Sequence, residues 1–333
     1  MSGGVDSSIT AYILKREGYE VVGANMQLWG KRTDPDVQKV ANKLDIPFYF
    51  FDIQSEFKKY VVDYFISEYR AGRTPNPCVA CNRYIKFGAL FDKAKELGID
   101  KIATGHYARI ENKRERYLLR EAIDKSKDQT YFLYTLNQKQ IARSIFPLGE
   151  YKKTEIRRIA QELNLDISAK PDSQEICFIK DNNHHSFIKK FGPKENEKGE
   201  IVNIEGKILG YHNGISNFTI GQRRGLGVVT GKPMYVVDID SSSTRVTLGS
   251  NKDLYRKELI GTDLNWIYVD DLDKRRKVKA KIRYQAQKAK ATLFPIKDAK
   301  VKVIFKNSQR AITKGQSVVF YLNDFVLGGG IIE

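Results

Sequence analysis

Cysteine is scarce: a chain of 333 residues carries three, Cys78, Cys81 and Cys177. That is too few for a disulfide scaffold at this size, and in a reducing compartment such thiols favour redox, metal or nucleophilic chemistry. No apolar run is long enough to cross a bilayer and no apolar leader precedes the first motif, so the expectation is a cytosolic protein with no membrane association. Internal repeats and low-complexity linkers are missing as well. Acidic residues are outnumbered, 40 against 57 Lys and Arg, which leaves a formal charge of +17. Such an excess implies a polyanionic partner more readily than it implies a fold. With 41% hydrophobic residues the chain can bury a sizeable core, and its length suggests two or three domains.

Against those absences stands the string Ser2-Gly3-Gly4-Val5-Asp6-Ser7-Ser8, which runs straight into an amphipathic helix. Two glycines let successive N–H groups turn toward an anion, Ser2, Ser7 and Ser8 add hydroxyls, and the helix points its positive end at the same place. The Gly-Lys-Ser/Thr ending of an ordinary P-loop is missing. A bare Gly-Ser turn could simply cap a helix; the full string favours phosphate binding. It resembles the SGGxDS pyrophosphate loop of ATP pyrophosphatases, enzymes that adenylate a carbonyl oxygen and release pyrophosphate. A phosphate loop in that setting follows a buried strand, whereas Met1 stands directly before Ser2. The expectation is a natural gene encoding about six to ten further residues rich in Val, Ile or Ala.

Helical and extended patterns then alternate. Ile9, Tyr12 and Ile13 mark a helix ending at Gly18, Glu20 to Met26 reads as a strand, Val37, Val40, Ala41 and Leu44 as a helix, and Pro47 to Phe51 as a buried strand. Phe57, Val61, Tyr64, Phe65 and Tyr69 predict another helix, followed by a loop from Arg73 to Asn82, a helix near Tyr84 to Leu97 and a strand from Lys101 to Thr104. Helical character continues through Asn137 to Ile145 and Lys153 to Leu163. The alternation predicts an α/β, Rossmann-like parallel sheet covered by helices, with ligands at the carboxyl ends of its strands, where the glycine loop, Met26 and Gly105-His106 fall. Beyond residue 184 strand-like runs dominate: Tyr235 to Ile239, Arg245 to Leu248, Val278 to Tyr284, Val301 to Phe305 and Ser317 to Leu322. The economical division is a catalytic domain over 1–184, a small α+β or β domain over 185–250 and a C-terminal β-barrel over 251–333.

Blocks spread along the whole chain carry a closer resemblance. Thr74-Pro75-Asn76-Pro77-Cys78-Val79-Ala80-Cys81-Asn82, Ile85-Lys86-Phe87, Ala103-Thr104-Gly105-His106-Tyr107-Ala108, Lys127-Asp128-Gln129, Asp172-Ser173-Gln174-Glu175-Ile176-Cys177-Phe178 and Thr219-Ile220-Gly221-Gln222-Arg223 occur in order. Asp263-Leu264-Asn265-Trp266, Arg283-Tyr284 and Leu327-Gly328-Gly329-Gly330 follow. Together they resemble the tRNA-specific 2-thiouridylase family of the ATP-pyrophosphatase superfamily. The resemblance implies ATP-dependent replacement of the 2-oxygen of a wobble uridine by sulfur through an adenylated base. It places the nucleotide on Ser2, Gly3, Gly4, Val5, Asp6, Ser7, Ser8, Met26 and Gly105. Asp6 is a candidate magnesium contact or, equally, a helix cap.

By the same resemblance Cys177 carries a persulfide and Cys81 is the second catalytic cysteine, so that turnover leaves a Cys81–Cys177 disulfide to be reduced. Both need thiolate character, which Arg83 and Lys86 are placed to encourage. The chain departs from the commoner family pattern at Cys78, where many members carry Asp. Cys78, Cys81 and Cys177 together offer an alternative ligand set for a [4Fe–4S] cluster with one open iron, and the sequence reading leans to it; zinc is disfavoured because only one C-x-x-C is present.

From Lys274 to Lys290 there are nine Lys or Arg residues and no acid. Val278, Ala280 and Ile282 alternate with Lys277, Lys279, Lys281 and Arg283, so strand geometry puts the basic set on one face, a phosphate-tracking surface. The resemblance adds tRNA contacts at Asn76, Pro77, Cys78, His106, Lys127, Asp128, Gln129, Arg283, Tyr284 and Gln316, with the wobble uridine flipped from its stack. His184 and His185 read as a solvated turn. Expected partners are tRNA at its anticodon region and a sulfur donor such as a cysteine desulfurase or a relay protein. Two other classes fit parts of the chain: a ligase or amidase of the same superfamily acting on a small molecule, and a noncatalytic RNA-binding protein.

Overall fold

A computed structural model describes the chain except residues 31–35, 114, 166–175, 180–182, 194–197 and 230. Six strands belong to the first part of the chain: β1 (Gly23–Gln27), β2 (Phe48–Asp52), β3 (Ile102–Ala103), β4 (Ala108–Lys113), β5 (Arg116–Glu121) and β6 (Ser144–Ile145). β1 and β2 pair in parallel, as do β3 and β6. Both pairs are parallel as expected, but no hydrogen-bonded strand joins them among the described residues. Met1 lies against β1: its amine donates to the Ala24 carbonyl, and Asn25 Nδ2 donates to the Met1 carbonyl at 2.7 Å.

Helix Val5–Arg16 follows the glycine loop and buries Ile9 and Ile13 completely, against Leu148 and against Ile156 and Ala160 of helix Lys153–Glu162. The stripe Phe57, Val61, Phe65, Tyr69 keeps a strict spacing of four, wider than the α-helical period of about 3.6 residues. The chain absorbs the mismatch by inserting a π-helical segment, Lys58–Asp63, between α-helical Gln54–Phe57 and Tyr64–Arg70, and all four side chains stay buried.

The predicted loop over Arg73 to Asn82 is helical in its second half. Asn76 caps helix Pro77–Ala80 by accepting from Val79 N at 3.3 Å, and Pro77 occupies the first turn, where a missing N–H costs nothing. The helix widens into π form over Cys81–Ala89 and returns to α form over Leu90–Glu96. Over Asn137 to Ile145 the helical expectation holds only for Gln138–Ala142; the rest supplies β6.

The middle of the chain forms a four-stranded sheet from β7 (Gly199–Asn203), β8 (Ile208–His212), β9 (Tyr235–Asp240) and β10 (Arg245–Gly249), in the order β8-β7-β10-β9. The last part comprises β11 (Tyr255–Trp266), β12 (Arg276–Lys281), β13 (Ala289–Ile296), β14 (Lys300–Arg310), β15 (Ser317–Leu322) and β16 (Phe325–Ile332). Antiparallel pairing closes them in the circuit β11-β14-β13-β12-β15-β16-β11, a barrel.

The barrel is fastened to the catalytic part through β15, whose two faces enter different cores. Val318 and Phe320 fill the barrel, while Val319 and Tyr321 pack into the catalytic core that also holds Tyr131 and Tyr134. Burying each of those two outward side chains stabilises the junction by roughly 1.5–3 kcal/mol. The β4–β5 hairpin adds to β16 at Phe325↔Arg120, so the catalytic part lends strands to the barrel's sheet.

Candidate active site

In the glycine loop Gly3 takes a left-handed φ of 75° and Gly4 is extended at the helix start, with no side-chain cap. The serines brace the curve: Ser2 N donates to Ser7 Oγ at 3.1 Å, and the Ser7 and Ser8 hydroxyls each donate to the Gly4 carbonyl at 3.1 Å. Val5 is buried beneath. Asp6 is not the helix cap. Both of its carboxylate oxygens accept from Lys153 Nζ at 2.8 Å, and one accepts from the Tyr107 hydroxyl at 3.0 Å. Gly105 closes the loop from β3: a Cβ there would stand 2.9 Å from the Asp6 carbonyl carbon and 3.0 Å from Ser7 N. Met26, at the carboxyl end of β1, is half-buried against the core that holds the cysteine helix. Lys153 escaped the sequence reading; in Lys152-Lys153-Thr154 it looks like an ordinary solvated helix start, yet its side chain is 9% exposed.

All three thiols feel the positive charge of Lys86. Cys78 and Cys177 are exposed and Cys81 is buried in the catalytic core, all three as free thiols. Burial pushes the Cys81 thiol up to about 12, and the positive charge of Lys86 opposes that shift. Although Cys78 and Cys177 each keep exposed surface, desolvation by the atoms packed around their thiols raises them too, again against Lys86. Cys81 feels the charge of both other thiols, and Cys177 that of Cys78, so the structure gathers the C-x-x-C helix and the distant cysteine into one site. The expected help from Arg83 does not arise, because Arg83 Nη1 is paired with Asp263 of β11 at 2.5 Å. Nor does the local chemistry favour thiolates overall: desolvation outweighs Lys86. Among the described residues no three His, Cys, Asp or Glu side chains are grouped to hold a metal ion. The iron–sulfur ligand set expected at Cys78, Cys81 and Cys177 is therefore not supported.

His106 joins the two halves of the site. Its Nδ1 lies 2.7 Å from Thr104 Oγ1 and its Nε2 3.4 Å from Lys86 Nζ, and burial with the Lys86 charge holds its pKa well below the usual histidine range. At 8% exposure it is a buried, neutral support for Lys86.

Other expected RNA contacts also hold the fold. Asn76 is a cap and Pro77 a helix start. Gln316 Nε2 donates to the Thr74 and Pro75 carbonyls at 2.9 and 3.2 Å, clamping the approach to the cysteine helix onto the barrel. Asp128 is buried, accepting from Ala122 N and Thr130 Oγ1, and burial raises its pKa; Gln129 Oε1 accepts from Tyr107 N. Lys127 is half-exposed. Arg283 Nη2 donates to the Arg310 carbonyl at 2.8 Å, and Tyr284 packs on Phe132 with ring centroids 4.3 Å apart.

The basic strand alternates as expected over Lys277 to Lys281, with Val278 and Ala280 buried. Lys281 lies over the rings of Tyr131 and Tyr284, near Asp128, and Lys288 is paired with Glu121. Lys277, Lys279 and Lys290 remain exposed without an acidic partner among the described residues, and Lys279 sits opposite Lys290 in the ladder. Two like charges in register repel, an arrangement that an anion relieves. The histidines at 184 and 185 open helix His184–Phe191 instead of a solvated turn, and His184 stacks on Tyr69. Residues 172–175 of the Cys177 block lie outside the described residues.

Residues 1–181 match the tRNA methyl transferase HUP domain family, 185–250 the tRNA methyl transferase PRC-barrel domain family and 256–332 the aminomethyltransferase beta-barrel domain family. Those matches and the site define an α/β enzyme with a HUP-type domain followed by two smaller β-rich parts. The chain is 53% identical over 341 residues to tRNA-specific 2-thiouridylase MnmA 2 of Clostridium botulinum, covering 100% of this chain and 97% of that one. It is 52% identical over 347 residues to the protein of the same name from Clostridium tetani, with the same coverage. The chain belongs to the tRNA-specific 2-thiouridylase family. A solved NMN synthetase from Francisella tularensis overlaps 52% of this chain and 64% of its own at 16% identity, with a TM-score of 0.35.

Proposed function

We propose that the protein is an ATP-dependent tRNA-uridine 2-sulfurtransferase that thiolates the wobble uridine through an adenylated base. The observation that carries this reading is a continuous path from phosphate loop to thiols: Gly105 against Asp6 and Ser7, His106 beside it, and Lys86 bonded to His106 and felt by all three cysteines. Adenylation makes the uridine O2 a leaving group, and the loop amides offset the charge of departing pyrophosphate. Asp6 is the carboxylate that would hold a magnesium ion riding on the phosphates, and the ion would neutralise charge there.

Sulfur arrives as a persulfide on Cys177, the exposed member of the Cys81–Cys177 pair, from a donor such as a cysteine desulfurase or a relay protein. Either its terminal sulfur attacks C2 and Cys81 then takes the Cys177 sulfur, or Cys81 attacks first and frees hydrosulfide. Both orders expel AMP and oxidise two thiols to a Cys81–Cys177 disulfide, which balances reduction of the sulfane sulfur to the thiocarbonyl level. Arginine and lysine side chains of β12 and β13 carry the tRNA, and the setting is the cytosol.

The test is pyrophosphate release and 2-thiouridine formation measured together. Release should require tRNA; in Cys81→Ser and Cys177→Ser it should persist while thiolation stops. Release driven by a small carboxylate without tRNA would favour a ligase or amidase, and no release at all would leave only RNA binding.

A further inference from the structure

The persulfide route leaves one thiol unused. Cys78 is exposed, whereas Cys81, three residues on, is buried. On a helical turn side chains three apart are neighbours, so the pair lies on one face, Cys78 the exposed residue and Cys81 the buried one. Cys177 belongs to the same electrostatic cluster and is exposed. The spent Cys81–Cys177 disulfide therefore joins one buried and one exposed residue, with Cys78 one helical turn from the buried one.

We infer that Cys78 is a resolving catalytic residue, which attacks Cys81 Sγ of the spent Cys81–Cys177 disulfide and returns Cys177 to the sulfur donor. This inference rests on the persulfide reading above. The exchange is balanced: the Cys78 thiolate forms a Cys78–Cys81 bond, the Cys81–Cys177 bond breaks, and Cys177 leaves as the thiolate with no net oxidation. An external protein dithiol then attacks the Cys78 sulfur, two thiols return on the helix and the dithiol becomes a disulfide. Attack falls on Cys81 because it lies one helical turn from Cys78 on the same face. Lys86 supports the attacking thiolate and the leaving one alike. The outcome frees Cys177 for its next persulfide while the disulfide is held within one helical turn.

The experiment loads the full-length enzyme with persulfide, adds tRNA and ATP without reductant, quenches with acid and N-ethylmaleimide after one turnover, and maps disulfides by peptide mass. Wild type should show Cys78–Cys81 with Cys177 alkylated, and Cys78→Ser should stop at Cys81–Cys177. With thioredoxin as reductant, Cys78→Ser should keep its first turnover and lose steady-state rate by about tenfold or more. A Cys81–Cys177 disulfide in wild type, or an unchanged steady state in Cys78→Ser, overturns the inference. The wild-type map needs no variant, so a folding defect in Cys78→Ser leaves the inference open to refutation. Thiolation by Cys81→Ser in a single turnover would instead overturn the persulfide reading itself.

Discussion

Lys153 Nζ lies 2.8 Å from both carboxylate oxygens of Asp6, linking the start of one helix to the first turn of another directly under the phosphate loop. The pair is unequal in exposure, 9% for the lysine and 33% for the aspartate, so the carboxylate is the more open member and the ammonium backs it. Lys153 offsets a negative charge that phosphates must otherwise approach.

Lys153→Met should therefore weaken binding of a non-hydrolysable ATP analogue by about ten- to a hundredfold, since an unpaired carboxylate beside the site costs roughly 1.5–3 kcal/mol. Lys153→Arg should recover part of the loss. Calorimetric titration decides it, and an unchanged affinity in Lys153→Met would show that the pair is only a helix–helix tie.

Gly105→Ala tests the closure of the loop. The added methyl would stand 2.9 Å from the Asp6 carbonyl carbon, a backbone atom fixed at the helix start. The loop must shift, at a cost of about 1–3 kcal/mol. Both Tm and ATP affinity should fall; loss of Tm with full affinity would mean that the loop's exact shape is immaterial to the nucleotide.

Charge changes on the barrel should divide into two groups. Lys277→Glu, Lys279→Glu and Lys290→Glu should weaken tRNA binding and lower the slope of log affinity against log salt by ~0.7–0.9 for each phosphate no longer neutralised. Lys288→Glu should chiefly lower stability, because Lys288 is held by Glu121. Filter binding across a salt series, with ATP affinity as control, separates them; equal slopes in all four variants would remove this face from the interface.

What the sequence made legible was local. The glycine loop, the alternation of Val278 and Ala280 with lysines, and the helix start at Val5 depend on neighbours along the chain, and they stand as expected. The helix leading into Cys81 falls where the sequence predicts a loop, although Asn76-Pro77 spells a capped start. Long-range partners were invisible: Lys153 on Asp6, Gln316 on Thr74 and Asp263 on Arg83 join residues 147, 242 and 180 positions apart. Residue type alone cannot tell a lysine that tracks RNA from one, such as Lys288, that neutralises Glu121. The same limit hid what Asp128 and Gln129 do within the fold, where their hydrogen bonds secure the turn beside Tyr107.

Cys81 sets a pH dependence whose sign follows from its environment. Burial favours the neutral thiol and lifts its pKa to about 12, so the thiolate fraction below that value rises about tenfold per pH unit. Alkylation of Cys81 by iodoacetamide should accordingly accelerate about tenfold per unit from about pH 7 to about pH 10 without a plateau. Lys86→Gln removes the charge that favours the thiolate, and should slow alkylation at every pH in that range. For stability the sign is opposite: a thiol pKa raised by folding contributes fully below the unfolded value and is lost as pH climbs toward the folded one. Alkaline unfolding should thus begin above the ordinary thiol range and shift upward in Cys81→Ala once its lower baseline stability is subtracted. Peptide-resolved alkylation rates with ATP and tRNA absent make the measurement, and a plateau below about pH 9 would show that Cys81 is already activated in the resting enzyme.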